Sequence, residues 1–324
     1  MVTTFEHLPN ELILRCFSYF NFFELYDLFY DLNRRFHHLI RYESKLYIDL
    51  DAVSDAKRLT FYLNLNQIIA TNQNYQLSII TENEHDLRIL FYDNLFQDKL
   101  CNLKSLILSN VPVETIYSII FETTAKLYEG LRHLKLLDGI KTKDKESEHD
   151  KIQKLCNNLI SSKMKSLIYL HINFDPYEYH DDTPSPLDDI YLEFEELSKR
   201  GESLSQLETL IIGELCDDND HIMSAPTIRF CSLITNLLPC VPRLETLFIN
   251  SIHFMPYYND LTKIERTTHL MIPSNLRKVT IWIDRFDGDN IEKNINIVRQ
   301  FFINNNLLKM TSIKIFSIPY EEDF

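Results

Sequence analysis

Two kinds of hydrophobic spacing run along this chain, and they divide it near residue 45. In the first part Leu12, Ile13, Cys16, Phe17 and Phe20 recur at helical spacing, a wide apolar stripe for a short helix. Leu8-Pro9-Asn10-Glu11 supplies the start signal. Proline loses no hydrogen bond at the first helical position, and a glutamate in the first turn complements the N-terminal dipole. A second helical pattern after Asn21 carries Leu25, Leu28, Phe29 and Leu32, and a third runs from Asn33-Arg34-Arg35-Phe36 through Leu39 and Ile40. Three helices in about forty residues hold more apolar surface than so small a module can bury by itself. Part of it is expected to press against another molecule.

Beyond residue 45 a phrase of the form L-x-x-L-x-L returns: Leu103/Leu106/Leu108, Leu131/Leu134/Leu136, Leu167/Leu170/Ile172, Leu207/Leu210/Ile212, Leu244/Leu247/Ile249, Leu276/Val279/Ile281 and Met310/Ile313/Ile315. Two weaker copies, Ile48-x-Leu50 and Leu77-x-Ile79, precede these. The alternation predicts strands, and a fixed phrase at intervals of a few tens of residues predicts stacked repeats. Between strands lie helical stripes: Ile152, Leu155, Cys156, Leu159, Ile160; then Phe230, Leu233, Ile234, Leu237, Leu238; then Ile291, Ile295, Val298, Phe302. Strand, loop and helix repeated in this way predict a mixed α/β fold, a solenoid with a parallel sheet on its concave side. Side chains between the leucines point the other way, so Ile107, Lys135, His171, Ile211, Phe248, Thr280 and Lys314 are expected on the concave face. Tyr169, Asn173, Asn250 and Trp282 flank them.

The N-terminal pattern resembles the F-box: Leu8-Pro9-x-Glu11-Leu12-Ile13-Leu14-x-x-Phe17-Ser18-Tyr19-Phe20, then Glu24-Leu25 with Leu28, then Leu32-Asn33-Arg34-Arg35-Phe36. The resemblance implies a three-helix module over residues 1–45 that docks on a Skp1-like adaptor of a cullin-RING ubiquitin ligase. It assigns that contact to Leu8, Pro9, Leu12, Ile13, Phe17, Leu25, Leu28, Leu32 and Phe36. This sequence departs mildly from the family pattern. Cys16 stands where a larger aliphatic is usual, Glu24 where aspartate is common, Leu32 where valine is common and Phe36 where tryptophan often sits. Residues 46–318 look like an irregular leucine-rich repeat domain, and residues 319–324 form an acidic tail. The asparagine that usually follows the L-x-L is missing; Val111, Gly139, Asp175, Leu215 and Ile252 occupy its place.

Charge narrows the partners. With 33 basic and 47 acidic side chains the formal net charge is -14, which opposes attraction to nucleic acid or anionic lipid and favours a basic partner. Acidic residues crowd 175–202, Glu214–Asp220 and Asp284–Asp289, after strands, so in a solenoid they would line one rim and steer a basic segment of a target protein. The alternative is that they are solvated loops.

Candidate chemistry is sparse. Only 5 glycines are present, none close enough to another to build a phosphate-cradling loop. The six cysteines, Cys16, Cys101, Cys156, Cys216, Cys231 and Cys240, form no C-x-x-C pair and read as reduced structural thiols. Tyr179-His180-Asp181-Asp182 and Asp217-Asp218-Asn219-Asp220-His221 lack calcium-loop or zinc spacing. His37-His38 reads as packing or surface. No cofactor, metal or catalytic constellation is expected. There is no signal-peptide pattern at the first residues and no run of 18 apolar residues. An intracellular location, cytoplasm or nucleus, is expected. The sequence thus points to a substrate-recognition adaptor of an SCF-type ligase that is not itself an enzyme. A protein-interaction scaffold outside any ligase is the alternative.

Overall fold

Each copy of the repeated hydrophobic phrase becomes a strand. The computed structural model describes residues 5–43, 46–71, 77–81, 83–92, 96, 100–101, 103–109, 111–137, 145–174, 191–201, 203–213, 226–253, 273–283, 291–306 and 311–317. The chain divides into two compact units, Met1–Val111 with Thr115–His133, and Pro112–Glu114 with Leu134–Phe324. The architecture is mixed α/β, and every described strand pairing is parallel.

The first unit begins with α1 (Asn10–Phe17), α2 (Phe22–Leu25) and α3 (Arg34–His38). The second and third continue through π-helical turns, Tyr26–Tyr30 and Leu39–Glu43. Next come β1 (Leu46–Asp49), α4 (Asp55–Thr71), β2 (Leu77–Ile80), α5 (Glu84–Tyr92) and β3 (Ser105–Ser109). After these stand two short helices, α6 (Val113–Tyr117) and α7 (Leu127–Gly130). β1 and β2 pair in parallel from Leu46↔Leu77 to Asp49↔Ile80. The three-helix module packs directly against α4 of the same unit. Phe22 of α2 is fully buried, with its ring centroid 5.8 Å from that of Phe61 on α4.

A buried polar network joins α4 to α5. Arg58 Nη1 donates to both carboxylate oxygens of Asp86 at 2.9 Å, and the Tyr62 hydroxyl donates to Oδ1, also at 2.9 Å. Asp86 is fully buried, and these donors take the place of water around its side-chain oxygens.

The second unit contains β4 (His133–Leu137), α8 (Lys145–Leu159), β5 (Tyr169–Ile172), β6 (Tyr191–Leu192), α9 (Glu195–Arg200) and β7 (Thr209–Ile212). It continues with β8 (Thr227–Arg229), α10 (Phe230–Ser232), β9 (Thr246–His253), β10 (Lys278–Ile283), α11 (Ile291–Asn306) and β11 (Ser312–Ser317). Its sheet order is β11-β10-β9-β7-β5-β4. The register puts equivalent positions of the repeated phrase side by side: Leu170↔Leu210↔Leu247↔Val279↔Ile313 and Ile172↔Ile212↔Ile249↔Ile281↔Ile315. From Leu170 to Val279 and from Ile172 to Ile281 these side chains are completely buried. Each is worth about 1.5–3 kcal/mol of burial.

Two of the three helical stripes appear as regular helices, α8 and α11. Ile152, Leu155, Cys156, Leu159, Val298 and Phe302 are buried along them. The middle stripe is helical but broken. α10 passes into a π-helical turn at Leu233–Leu237 and a 3-10 turn at Leu238–Cys240, where Pro239 cannot continue an α-helix. The strands β6 and β8 lie outside the repeated phrase. β8 adds to the far end of β9 through Ile228↔Ile252 and Arg229↔His253, and β6 adds to β8.

Candidate functional site

The N-terminal module is built from the ends of its helices inward. Pro9 sits immediately before α1, and its carbonyl accepts from the Leu12 and Ile13 amides at 3.1 Å. Helix α2 opens with a reciprocal cap: Asn21 Oδ1 accepts from the Glu24 amide at 2.8 Å, and Glu24 Oε2 accepts from the Asn21 amide at 2.9 Å. The longer glutamate at position 24 is what reaches back to close this box. At α3 the Asn33 side chain accepts from the amides of Arg35 and Phe36.

Arg35 then ties α3 to the leading segment. Its guanidinium donates to the Glu6 carbonyl at 2.6 Å, the Leu8 carbonyl at 2.6 Å and Asn10 Oδ1 at 2.8 Å, while Asn33 Nδ2 donates to Glu6 Oε1 at 3.0 Å. Beneath this clamp lies an aromatic cluster with Phe29 at its centre. The Phe29 ring stands 5.3 Å from Phe17, 5.6 Å from Phe20, 5.7 Å from Phe5 and 5.9 Å from Phe36.

The nine residues assigned to adaptor contact separate into two sets. Ile13, Phe17, Leu25 and Phe36 are buried within the unit, and this corrects their assignment: they form the floor of the module and are not available to a partner. Their rings and branched chains fill the space between helices that the clamp and caps hold together. Leu12, Leu28 and Leu32 are 47%, 53% and 58% exposed, Pro9 is exposed and Leu8 is half-buried. The surplus of apolar surface is real but smaller than the sequence suggests, since Phe22 and Leu25 are buried within the chain's own fold. Arg35 and Phe29 carry structural roles that helical spacing does not reveal. Only the position of Arg35, two residues past an N-cap asparagine, hints at its role.

The second candidate surface is the sheet face opposite the leucines. Its central row is His171↔Ile211↔Phe248↔Thr280↔Lys314, as the repeated phrase requires. Exposure varies strongly along it. His171 and Ile211 are buried, Phe248 and Thr280 are half-buried, and Lys314 is exposed. Ile107, Lys135, Tyr169 and Trp282 are half-buried, whereas Asn173 and Asn250 are buried. The expectation of an open face across every strand therefore needs correction: His171, Asn173, Ile211 and Asn250 are enclosed. His171 is held by a 3.0 Å contact from Nε2 to the Gly213 carbonyl. Lys135 Nζ lies 5.7 Å from the Tyr169 ring, and burial pushes the Tyr169 phenol above its ordinary pKa.

A bulge deforms this face at β9. Ile249 pairs with Ile281 and Ile252 with Ile283, so Asn250 and Ser251 together oppose Trp282. The Ser251 and Thr227 hydroxyls bond at 2.9 Å. Asn250 is 1% exposed, and among the described residues neither its Nδ2 nor its Oδ1 has a hydrogen-bond partner. Trp282 stacks on Phe316 with centroids 4.4 Å apart.

Among the described residues no group of three or more His, Cys, Asp or Glu could hold a metal ion. Cys16, Cys101, Cys156, Cys231 and Cys240 are not in disulfides, and burial pushes the Cys156 thiol up to about 12, far from thiolate reactivity. The acidic stretches at 175–190, Glu214–Asp220 and Asp284–Asp289 lie outside the described residues. So do the tail 319–324, Cys216 and the sequences 179–182 and 217–221. Of the positions that replace the repeat asparagine, Val111 and Ile252 are buried, while Gly139, Asp175 and Leu215 lie outside the described residues. Among the described residues no helix is long and apolar enough to cross a membrane. Compared with protein-family models the chain matches none, and it has no significant match among curated proteins.

Proposed function

We propose that this chain is a substrate-recognition adaptor of an SCF-type ubiquitin ligase. Its N-terminal helices dock on a Skp1-like adaptor, and its repeats, read as a leucine-rich-repeat-like solenoid, hold a target protein. One observation carries the first half. Leu12, Leu28 and Leu32 are exposed, as are Pro9 and Tyr19, and Leu8 is half-buried, on a module in which Ile13, Phe17, Leu25 and Phe36 are packed inside. Exposed leucines on a capped frame are what a helix-binding partner buries.

For the target, the accessible side chains are Ile107, Lys135, Tyr169, Phe248, Thr280, Trp282 and Lys314. Half-exposed aromatics deliver contact area at low entropy cost. The chain's own contribution to ubiquitin transfer is positional: it holds the target at high effective concentration beside the transfer machinery, which needs no reactive side chain here. Leu12→Asp with Leu28→Asp, both on exposed positions, leaves the thermal midpoint unchanged and abolishes capture of a purified Skp1-like protein. Capture equal to that of the unaltered chain overturns the proposal.

A further inference from the structure

Among the described residues the last strand forms one edge of the second unit's sheet. Among the described residues β11 pairs only with β10. The Ser312 amide donates to the Arg277 carbonyl at 3.1 Å, and Ser312 lies opposite Lys278. In a parallel ladder the bonding residues alternate, so Ser312, Lys314 and Phe316 turn their backbone groups to β10. Ile313, Ile315 and Ser317 therefore turn theirs away from it. The side chains are less enclosed here as well. Ile313 and Ile315 are half-buried where their lateral neighbours Val279 and Ile281 are fully buried, Lys314 is exposed and Phe316 is 38% exposed. An edge of this kind, apolar on one face and aromatic on the other, is a template for another strand.

We propose that this edge pairs with β11 of a second copy of the chain, antiparallel, about a two-fold axis through Ile315. The strand's own sequence selects that occupant. A two-fold pairing that keeps side chains on their proper faces must set a residue opposite one of the same parity. Within Ser312–Ser317 two such registers overlap by five residues. The register centred on Lys314 bonds through Ile313 and Ile315 but sets two ammonium groups face to face. The register centred on Ile315 sets Ile315 against Ile315 and Ile313 against Ser317, the residues with outward backbone groups. It also sets Lys314 against Phe316 twice. Each lysine then lies on the exposed ring of a Trp282–Phe316 stack, a cation–π contact that adds to the backbone bonds. Both registers bond through outward residues, and the charge pattern chooses between them.

The inference uses only the second unit and stands apart from the adaptor reading. If both hold, one assembly presents two docking modules and two target faces. The test is the mass of the full chain by sedimentation as concentration rises. It should climb from the monomer's 38.5 kDa towards twice that value. Ile315→Pro should remain monomeric: proline removes an outward N–H that β10 does not use, so the chain's own ladder survives. Lys314→Glu changes an exposed side chain and should weaken association about tenfold, as expected for loss of two cation–π contacts of about 0.5–1 kcal/mol each. Mixing Lys314→Cys with Phe316→Cys chains under oxidation should give a crosslinked heterodimer, since directly opposed non-bonded pairs have Cα atoms about 4.5 Å apart, within disulfide reach. Neither variant alone should crosslink above the unaltered chain. A monomer at every concentration overturns the proposal. So does a Lys314→Glu chain that associates as well as the original, or crosslinking of Lys314→Cys with itself.

Discussion

The guanidinium of Arg35 donates to the carbonyl of Leu8 at 2.6 Å, and in doing so fixes the leading segment of the N-terminal module to its third helix. The same side chain reaches Glu6 and Asn10, so one residue sets the position of Leu8 and Pro9 relative to Leu32. Arg35→Ala is expected to lower stability by about 2 kcal/mol, the scale for losing charge-assisted bonds at a part-buried site. Arg35→Lys, which cannot reproduce the fork, should recover little of it. Chemical denaturation of the three chains measures both effects, and a lysine chain as stable as the original would contradict the clamp.

The division of the hydrophobic residues into floor and face gives opposite expectations for neighbours in sequence. Phe17→Ala and Phe36→Ala should each cost about 3–5 kcal/mol, as truncation of buried aromatics does. Leu12→Ser, Leu28→Ser and Leu32→Ser should stay within about 0.5 kcal/mol of the original. Ile13 and Leu12 are the sharpest pair, because adjacent side chains on one helix differ completely in exposure. Denaturation midpoints across the series decide it.

Burial and the Asp86 hydrogen bond raise the Tyr62 phenol well above its ordinary value, with the Asp86 charge adding and Arg58 opposing. A phenol whose folded pKa exceeds its unfolded value stabilises the fold fully below about pH 10 and loses that contribution as pH rises further. Stability should therefore fall in alkali above about pH 10, and Tyr62→Phe should flatten part of that fall. Asp86→Ala should cost about 3–5 kcal/mol at neutral pH, since it strands the Arg58 charge. Stability measured against pH for the three chains reads both effects.

Lys126 is exposed and adopts left-handed backbone angles, φ 45°. Lys126→Gly removes that strain without disturbing packing, and a gain of up to about 1 kcal/mol is expected. Phe194 has the same conformation, φ 53°, but is fully buried, so Phe194→Gly should destabilise by about 3–5 kcal/mol as the cavity outweighs the relief. Thermal melts of the two variants should move in opposite directions.

How much of the fold is legible in the sequence depends on the range of the forces involved. The strands from β3 to β11 that carry the repeated phrase are legible because Leu170, Leu210, Leu247 and their equivalents alternate with period two and are buried on one face wherever the strand lies. The strands β6 and β8 are not, since two or three residues hold no period and take their place only by adding to the bulged end of β9. On the N-terminal module the helices are legible from spacing, but which leucines face outward is not. Ile13 and Leu12 are equally apolar, and only tertiary packing separates them. His171 and Asn250 occupy the face that alternation assigns them, yet their enclosure depends on chain far away in sequence, which a local pattern does not encode.

Adaptor docking requires that Leu12, Leu28 and Leu32 form a face that a Skp1-like protein covers. A calorimetric titration of the purified adaptor into the full chain and into a chain carrying Leu12→Ser, Leu28→Ser and Leu32→Ser measures this directly. Saturable binding by the original is expected, with at least a hundredfold weaker binding by a triple variant of the same unfolding free energy. Undiminished affinity in the triple variant, or no binding by the original, contradicts the docking face.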